Sequence, residues 1–271
     1  VFTVTVCGAV LPLTFSKTVL LAALILLPVA FGADEASGLA PLFAQEVDRR
    51  LEVPETDQRT YGDLLMTMFT DKVIAQSQYV VLVDRNQFTQ AAMIFWITPE
   101  RTYKFVGASP ISTGKPGRFD HFTTPLGIFE HTTDNLDFRA EGTKNKLGFR
   151  GYGHKGSRIY DFGWQQAVRG WGRGGESPIR LQMHSTDPDR LEIREGSAQS
   201  KGCIRIPATL NAFIDHYGIL DGDYEDAVKE GQTFWIFLKT RQPTAFSGRF
   251  LIVVDTQRVE RPAWSPLPSS L

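Results

Sequence analysis

The chain has 271 residues, 29 Lys and Arg against 30 Asp and Glu, and a formal net charge of -1. Its 42% hydrophobic and 22% charged residues are ordinary globular fractions, which argues against a disordered chain, a collagen-like repeat or a polytopic membrane protein. The balanced charge leaves no basic footprint for nucleic acid, and 2 cysteines are too few for a disulfide-stapled scaffold.

The run Val19–Phe31 carries no charge. Its 13 residues match the apolar core of a secretory signal peptide, about 7–15 residues, and fall short of the ~20 needed to span a bilayer. Lys17 supplies the positive flank, and Ala30 and Gly32 stand at small-residue spacing for cleavage before Ala33. Residues 1–32 are therefore expected to be a signal peptide. The competing reading is an uncleaved anchor, because Val1–Phe15 is also apolar, although Lys17 and Pro28 interrupt any longer span. A first residue of Val rather than Met puts the expected initiation site nearer Ser16. Removal of the segment takes away Lys17 and Cys7 and leaves a net charge of -2. Cys203 then stands alone in an exported protein, where an unpaired thiol is a liability unless it is buried or reactive.

Residues 33–77 read as a helical prelude. Leu39, Leu42, Phe43 and Val47 fall on one helical stripe, Val53-Pro54 interrupts it, and Leu64, Leu65, Met68, Phe69 and Val73 form a second. From Tyr79 the texture turns to strands: Tyr79–Val83, Ala91–Thr98, Tyr103–Ile111 and Ile128–His131, with the turn-rich Ser112–Gly117 before the last. Residues 139–177, rich in Gly, Arg and Lys, read as long loops over a sheet. In Ile179–His184, Ile179, Leu181 and Met183 take one face and Arg180, Gln182 and His184 the other, so His184 ends a strand on its polar face. After Pro207 a helix is expected, with Leu210, Phe213, Ile214 and Tyr217 buried and Gly218 as its cap. Thr233–Lys239 and Phe250–Asp255 complete the strands, and the tail after Val259, with three prolines, is expected to fray. The fold class is thus mainly β with short helices, an α+β protein preceded by a short helical segment.

Ser200-Lys201-Gly202-Cys203-Ile204-Arg205 is the stretch that carries chemistry. Cys203 has polar and charged neighbours, unlike a structural cysteine among apolar ones. In an extended segment Lys201 and Arg205 share its face, where their charge would favour the thiolate. Gly202 lets a substrate carbonyl approach the backbone, and the amides around Gly202-Cys203 are candidate oxyanion donors. A cysteine nucleophile commonly works with a histidine base. Of five histidines, His184 precedes Cys203 by 19 residues across a strand, a loop and a returning segment. His216 is expected on the solvated side of its helix, and His121, His131 and His154 at surface or supporting positions. No H-E-x-x-H or paired cysteine ligands suggest a metal, so none is expected. Gly151–Gly156 fits G-x-G-x-x-G without the flanking strand and helix of a dinucleotide site. Gly114-Lys115 lacks the earlier glycine of a phosphate loop, and no G-x-S-x-G elbow suggests a serine nucleophile.

His184-Ser185-Thr186, a loop, and Ser200–Arg205 resemble the signature of L,D-transpeptidase catalytic domains, which show His-Gly/Ser-Thr and then Ser-His-Gly-Cys-Ile/Val-Arg. Ser112-Thr113-Gly114-Lys115 and Thr124-Pro125-Leu126-Gly127-Ile128-Phe129 match that family's recurring pattern in the same order. The resemblance covers residues 78–239, leaving 240–271 as a C-terminal extension with a frayed tail. It implies a mixed β-sheet sandwich or barrel, and an exported enzyme of the periplasm or cell envelope. Its partners would be peptidoglycan stem peptides, both donor and amine acceptor. No cofactor, nucleic acid or membrane span after signal cleavage is expected, and the protein is expected to be a monomer. Cys203 would attack the carbonyl of the L-centre before a terminal D-alanine, release that residue and pass the acyl group to an amine. His184 would be the base, oriented by Ser185 through its backbone carbonyl. Gly202 and Cys203 would supply oxyanion donors, Arg205 would hold the loop or a substrate carboxylate, and Ser200 and Lys201 would flank the substrate. The family commonly has His where this chain has Lys201.

Three other readings stay open on the residues alone. Water in place of the amine gives an L,D-carboxypeptidase, and Lys201 motivates a catalytically silent peptidoglycan-binding envelope protein. A papain-like or sortase-like peptidase fits less well. The papain order is cysteine before histidine, and a sortase has threonine where Gly202 stands.

Overall fold

Pro54 separates two helices at the start of the computed structural model, which describes residues 32–268. Residues 1–31, with the expected signal-peptide core and Cys7, lie outside the described residues. Helix α1 (Gly32–Glu46) buries Leu39 and Phe43, and Val47 just beyond it is buried too. Pro54 caps α2 (Glu55–Met68), where a fixed φ suits the entry, and Glu55 and Asp57 lie in the first turn against the positive end of the helix. Tyr61, Leu65 and Phe69 are buried, whereas Val73 lies past the helix end and is 87% exposed.

Two mixed sheets form the body. The first takes its strands in the order β3 (Tyr103–Pro110), β2 (Ala91–Ile97), β1 (Gln78–Asp84), β9 (Phe250–Val254) and β4 (Gly127–Glu130). Strands β1 and β9 are parallel, and the other pairs antiparallel. Every residue of β1, β2 and β9 is buried, as their continuous apolar runs require of strands covered on both faces. Val80, Leu82, Met93, Phe95 and Ile252 pack under α2 and Trp264. Tyr79, Val81, Ile94, Leu251 and Val253 pack instead with α1 and the inner face of the second sheet.

That second sheet has the order β5 (Phe138–Arg139), β6 (Arg158–Val168), β7 (Glu176–Ser185) and β8 (Ile204–Ile206), with β7 and β8 parallel. Tyr160, Phe162, Leu181, Met183, Ile204 and Ile206 point inward to the shared core. Helices α3 (Ala208–His216) and α4 (Gly222–Lys229) follow, and Leu210, Phe213, Ile214 and Tyr217 are buried as the spacing predicts. No helix among the described residues is long and apolar enough to cross a membrane.

Four expectations need correcting. Residues 139–177 are not all loop, because they contain β6. Its apolar rhythm is broken by a bulge between Asp161 and Trp164, where Gly163 has φ +72°. Thr233–Lys239 is not a strand: it forms turns, with Phe234 and Phe237 packed on Tyr224 and Ile236 buried. The tail is anchored as far as Ser265: Trp264 packs edge-on against Tyr61, its indole N–H donates to Asp57, and the Ser265 hydroxyl donates to the Thr89 carbonyl. Of the two placements expected for His131, surface or supporting, the surface one is excluded: it is fully buried, with Nε2 2.9 Å from Asp137 and Nδ1 2.8 Å from the Leu220 carbonyl oxygen.

Candidate active site

Parallel pairing of β7 with β8 matches Met183 to Ile204, His184 to Arg205 and Ser185 to Ile206. Side chains alternate along each strand, so Met183 and Ile204 go to the core while Gln182, His184, Cys203 and Arg205 share the opposite face. The 19-residue interval predicted this pairing in outline. The loop between the strands includes a short 3-10 turn, Glu192–Arg194.

The turn that presents Cys203 is tied from several sides. The Ser200 hydroxyl accepts from the Gly202 N–H at 3.0 Å and donates to the Cys203 carbonyl. Thr124 Oγ1 donates to the Gly202 carbonyl at 2.8 Å and accepts from the Gly114 N–H at 2.9 Å. Ser112 exchanges both backbone hydrogen bonds with Arg205, and the Lys115 N–H donates to the Ser200 carbonyl. The blocks Ser112–Lys115 and Thr124–Phe129 thus converge on Ser200–Arg205, a bracing role for Thr124 that spacing alone did not reveal. Gly202 has φ +134°, a backbone conformation that favours glycine.

His184 is 3% exposed, and its Nδ1 lies 2.8 Å from the Ser185 carbonyl oxygen. A carbonyl only accepts, so Nδ1 carries the proton and Nε2 has the free lone pair. Burial, helped by the Arg205 charge, holds the imidazole pKa down to about 4, so the ring is neutral at pH 7. The Ser185 side chain is directed elsewhere, donating to the Thr186 carbonyl at 3.0 Å. Tyr152 packs edge-on against His184 with ring centroids 4.7 Å apart, and its hydroxyl lies 3.3 Å from Gln182 Oε1. Gln182 in turn donates to Asp161, which also pairs with Arg180 at 2.7 Å. Sequence reasoning missed Tyr152 because it lies in the Gly151–Gly156 stretch, whose glycines read only as loop.

Burial pushes the Cys203 thiol above its ordinary range. Arg205 and the backbone amide of Gln182 oppose the shift without cancelling it. The resting sulfur is therefore a thiol, correcting the expectation that two flanking cations would give a thiolate. Lys201 does not contribute, because its ammonium is 2.7 Å from Asp120 and 61% exposed. Asp120 belongs to a loop that also brings Phe119 and Phe122 against Trp171. Gly202 is also not a free oxyanion donor, since Ser200 already accepts its N–H. Ser200 itself is fully buried and used inside the turn rather than presented to solvent. Arg205 is partly buried beside the sulfur, and its Nε has no hydrogen-bond partner.

The arrangement is a neutral histidine with a free Nε2 and a neutral thiol on one face of two paired strands. It is suited to general-base activation of sulfur toward a carbonyl carbon.

No family model matches the chain, and neither does any curated protein. Among solved structures, the helical cell shape determining protein Pgp2 from Campylobacter jejuni aligns with a TM-score of 0.29 at 14% identity. The alignment covers 75% of this chain and 58% of Pgp2, and a point mutant of Pgp2 gives the same score with 57% of its chain covered. The chain therefore spans less than two thirds of that protein's length.

Proposed function

We propose that the chain is an L,D-transpeptidase of the bacterial cell envelope, exported and acting on peptidoglycan stem peptides. The observation that carries this reading is His184, with Nδ1 fixed on the Ser185 carbonyl and Nε2 free, on the strand paired with the one that Cys203 precedes. In the proposed reaction Nε2 takes the thiol proton as sulfur attacks the carbonyl carbon before the terminal D-alanine. The C–N bond breaks, His184 returns the proton to the departing amine, and a thioester remains on Cys203. An acceptor amine then attacks the thioester and loses a proton to His184. Sulfur leaves and regains the proton, so His184 and Cys203 end as they began. With water as acceptor the same steps give an L,D-carboxypeptidase.

Neutral starting forms suit this sequence, because base and thiol need no resting charge separation in a buried site. The mixed sheets also agree with the fold expected of the family.

The test is intact-mass spectrometry after incubation with a carbapenem, a β-lactam class that acylates members of the resembled family. An adduct of the drug's mass on the wild type, absent from Cys203→Ala, is expected. A well-folded wild type with no adduct would overturn the proposal and favour a silent peptidoglycan-binding protein.

A further inference from the structure

Strand β6 turns one tryptophan against its own alternation. Tyr160 and Phe162 point into the core, and an unbroken strand would send Trp164 after them. The extra residue of the bulge, Gly163, reverses this: Trp164 pairs across the sheet with Arg180, and its side chain is 66% exposed. Gly163 adopts φ +72° and donates its N–H to Asp161 at 2.8 Å, and a Cβ added to it would lie 2.9 Å from the Asn135 side chain. Bulges of this kind are built features that re-aim a side chain, here onto the face that carries the chemistry.

Arg180 stands two residues before Gln182 and four before His184 on β7, so these three side chains and Trp164 share one side of the sheet. Toward the hairpin tip that face is bare: Trp164, Gln166 and Val168 on β6 and Glu176, Pro178 and Arg180 on β7 are all exposed. The register sets Gln166 opposite Pro178 and Val168 opposite Glu176. Trp164, Pro178 and Val168 therefore form an apolar diagonal with Arg180, Gln166 and Glu176 on its flanks. Three apolar side chains supply far less than the ~800 Å² per partner of a standard protein interface. A narrow apolar stripe edged by donors and acceptors matches a pyranose instead, whose ring face is C–H surface and whose rim is hydroxyl and amide.

The distance to the nucleophile fits a sugar at one end of a stem peptide. The Gln182 backbone amide faces the Cys203 sulfur. By strand rise and strand spacing, the Trp164 backbone lies about 9 Å from that of Gln182. A stem attacked at its third residue has three residues between that carbonyl and its amino sugar, at most about 11 Å when extended.

We propose that Trp164, with Val168, Pro178 and their polar flanks, is a glycan platform: the amino sugar that carries the donor stem stacks on the indole while the peptide runs along β7 to Cys203. This rests on the transpeptidase reading for the donor peptide, and on the β6–β7 face for the sugar. The platform selects stem peptides still attached to glycan over free ones.

The experiment is calorimetric titration of Cys203→Ala protein with two probes, a disaccharide-tetrapeptide and the same tetrapeptide without sugar. The sugar-bearing probe is expected to bind at least about tenfold tighter. Trp164→Ala in the same background is expected to reduce that ratio to under about threefold, whereas Trp164→Phe, which keeps a stacking ring, is expected to retain most of it. The indole N–H signal of Trp164, one of 5 and assigned by its loss in Trp164→Phe, is expected to shift with the disaccharide-tetrapeptide and not with the free tetrapeptide. Equal affinity for the two probes, no binding of either, or a ratio unmoved in Trp164→Ala overturns the platform. A Trp164→Ala loss shared equally by both probes also overturns it and makes the face a peptide groove. Carbapenem acylation of wild-type protein is read separately. Sugar preference without acylation overturns the transpeptidase reading and leaves the platform standing; acylation without sugar preference does the reverse.

Discussion

The Nδ1 of His184 donates to the backbone carbonyl of its own neighbour, Ser185, at 2.8 Å. This bond between adjacent residues fixes the tautomer without a carboxylate partner. A carboxylate would raise the imidazole pKa, whereas here burial and Arg205 lower it to about 4. The acid limb of kcat/KM is therefore expected near pH 4 rather than at about 6.5, because activity is lost only as His184 gains its second proton. On the alkaline side, a thiol raised by burial should show no ionisation below the ordinary cysteine range. Carbapenem acylation rates across pH 3.5–9 check this, and a half-maximal rate at about pH 6.5 would contradict the buried neutral histidine.

If Ser185 acts through its main chain, its hydroxyl is expendable. Ser185→Ala keeps the carbonyl that holds His184 and loses only the bond to the Thr186 carbonyl. Acylation is expected to stay within about fivefold of wild type, while His184→Ala is expected to lose roughly 10²–10⁴-fold. A Ser185→Ala loss as large as that of His184→Ala would mean that the side chain takes part directly.

Lys201 stands where the resembled family commonly has histidine, yet its ammonium is turned to Asp120 and solvent. An exposed pair of this kind contributes little to stability. Lys201→Ala is expected to keep Tm within about 2 °C and acylation within about fivefold. Lys201→His is expected to behave alike. A loss of 10²-fold or more in Lys201→Ala, checked by time-resolved intact mass, would place Lys201 in the acylation step.

The pairing of His184 with the Cys203 turn was legible because alternation survives in Ile179–His184, and because His184 and Cys203 bracket a single loop. The central strands were legible for a simpler reason: β1, β2 and β9 are buried on both faces and read as apolar runs. β6 was hidden by its bulge and by Asp161, which holds Gln182 and Arg180 on the site face. Thr233–Lys239 misled because a turn segment covering Tyr224 and Arg158 needs the same aromatic residues as a strand. Electrostatics was the least legible layer. Sequence shows that Lys201 and Arg205 flank Cys203, but only the fold shows that Asp120 takes one and that burial outweighs the other.

The buried ionic cluster behind the site carries a pH prediction of opposite sense. Both ring nitrogens of His131 face acceptors, Asp137 Oδ1 and the Leu220 carbonyl, so both carry protons. Burial works against that charge, but Asp137 outweighs it and the His131 pKa is raised. Arg158, also fully buried, binds Asp137 at 2.7 Å and lies 2.7 Å from Asp221. A raised histidine contributes stability in full below its unfolded pKa of about 6.5, and loses it as pH rises through the folded value. His131→Gln is expected to cost about 3–5 kcal/mol at pH 6, with the gap to wild type narrowing at alkaline pH. Denaturant unfolding at pH 6 and pH 9.5 checks it; a gap that widens with pH would mean that His131 is neutral in the fold.

Gly202 tests whether the turn's geometry governs reactivity. A Cβ there would lie 3.1 Å from Ile179 Cδ1 and 3.3 Å from Phe122 Cβ, on a backbone with φ +134°. Gly202→Ala therefore combines backbone strain, of order 1–3 kcal/mol, with displacement of the segment that carries Cys203. Gly148 separates the two effects, because its φ is +80° but a Cβ there meets nothing within 4 Å. Both variants are expected to lower Tm by a few degrees. Only Gly202→Ala is expected to slow carbapenem acylation, by about 10²-fold, since a shift of ~1 Å in a reacting atom is costly. Equal acylation rates for the two variants would show that the turn tolerates displacement, and that Cys203 is positioned by β8 alone.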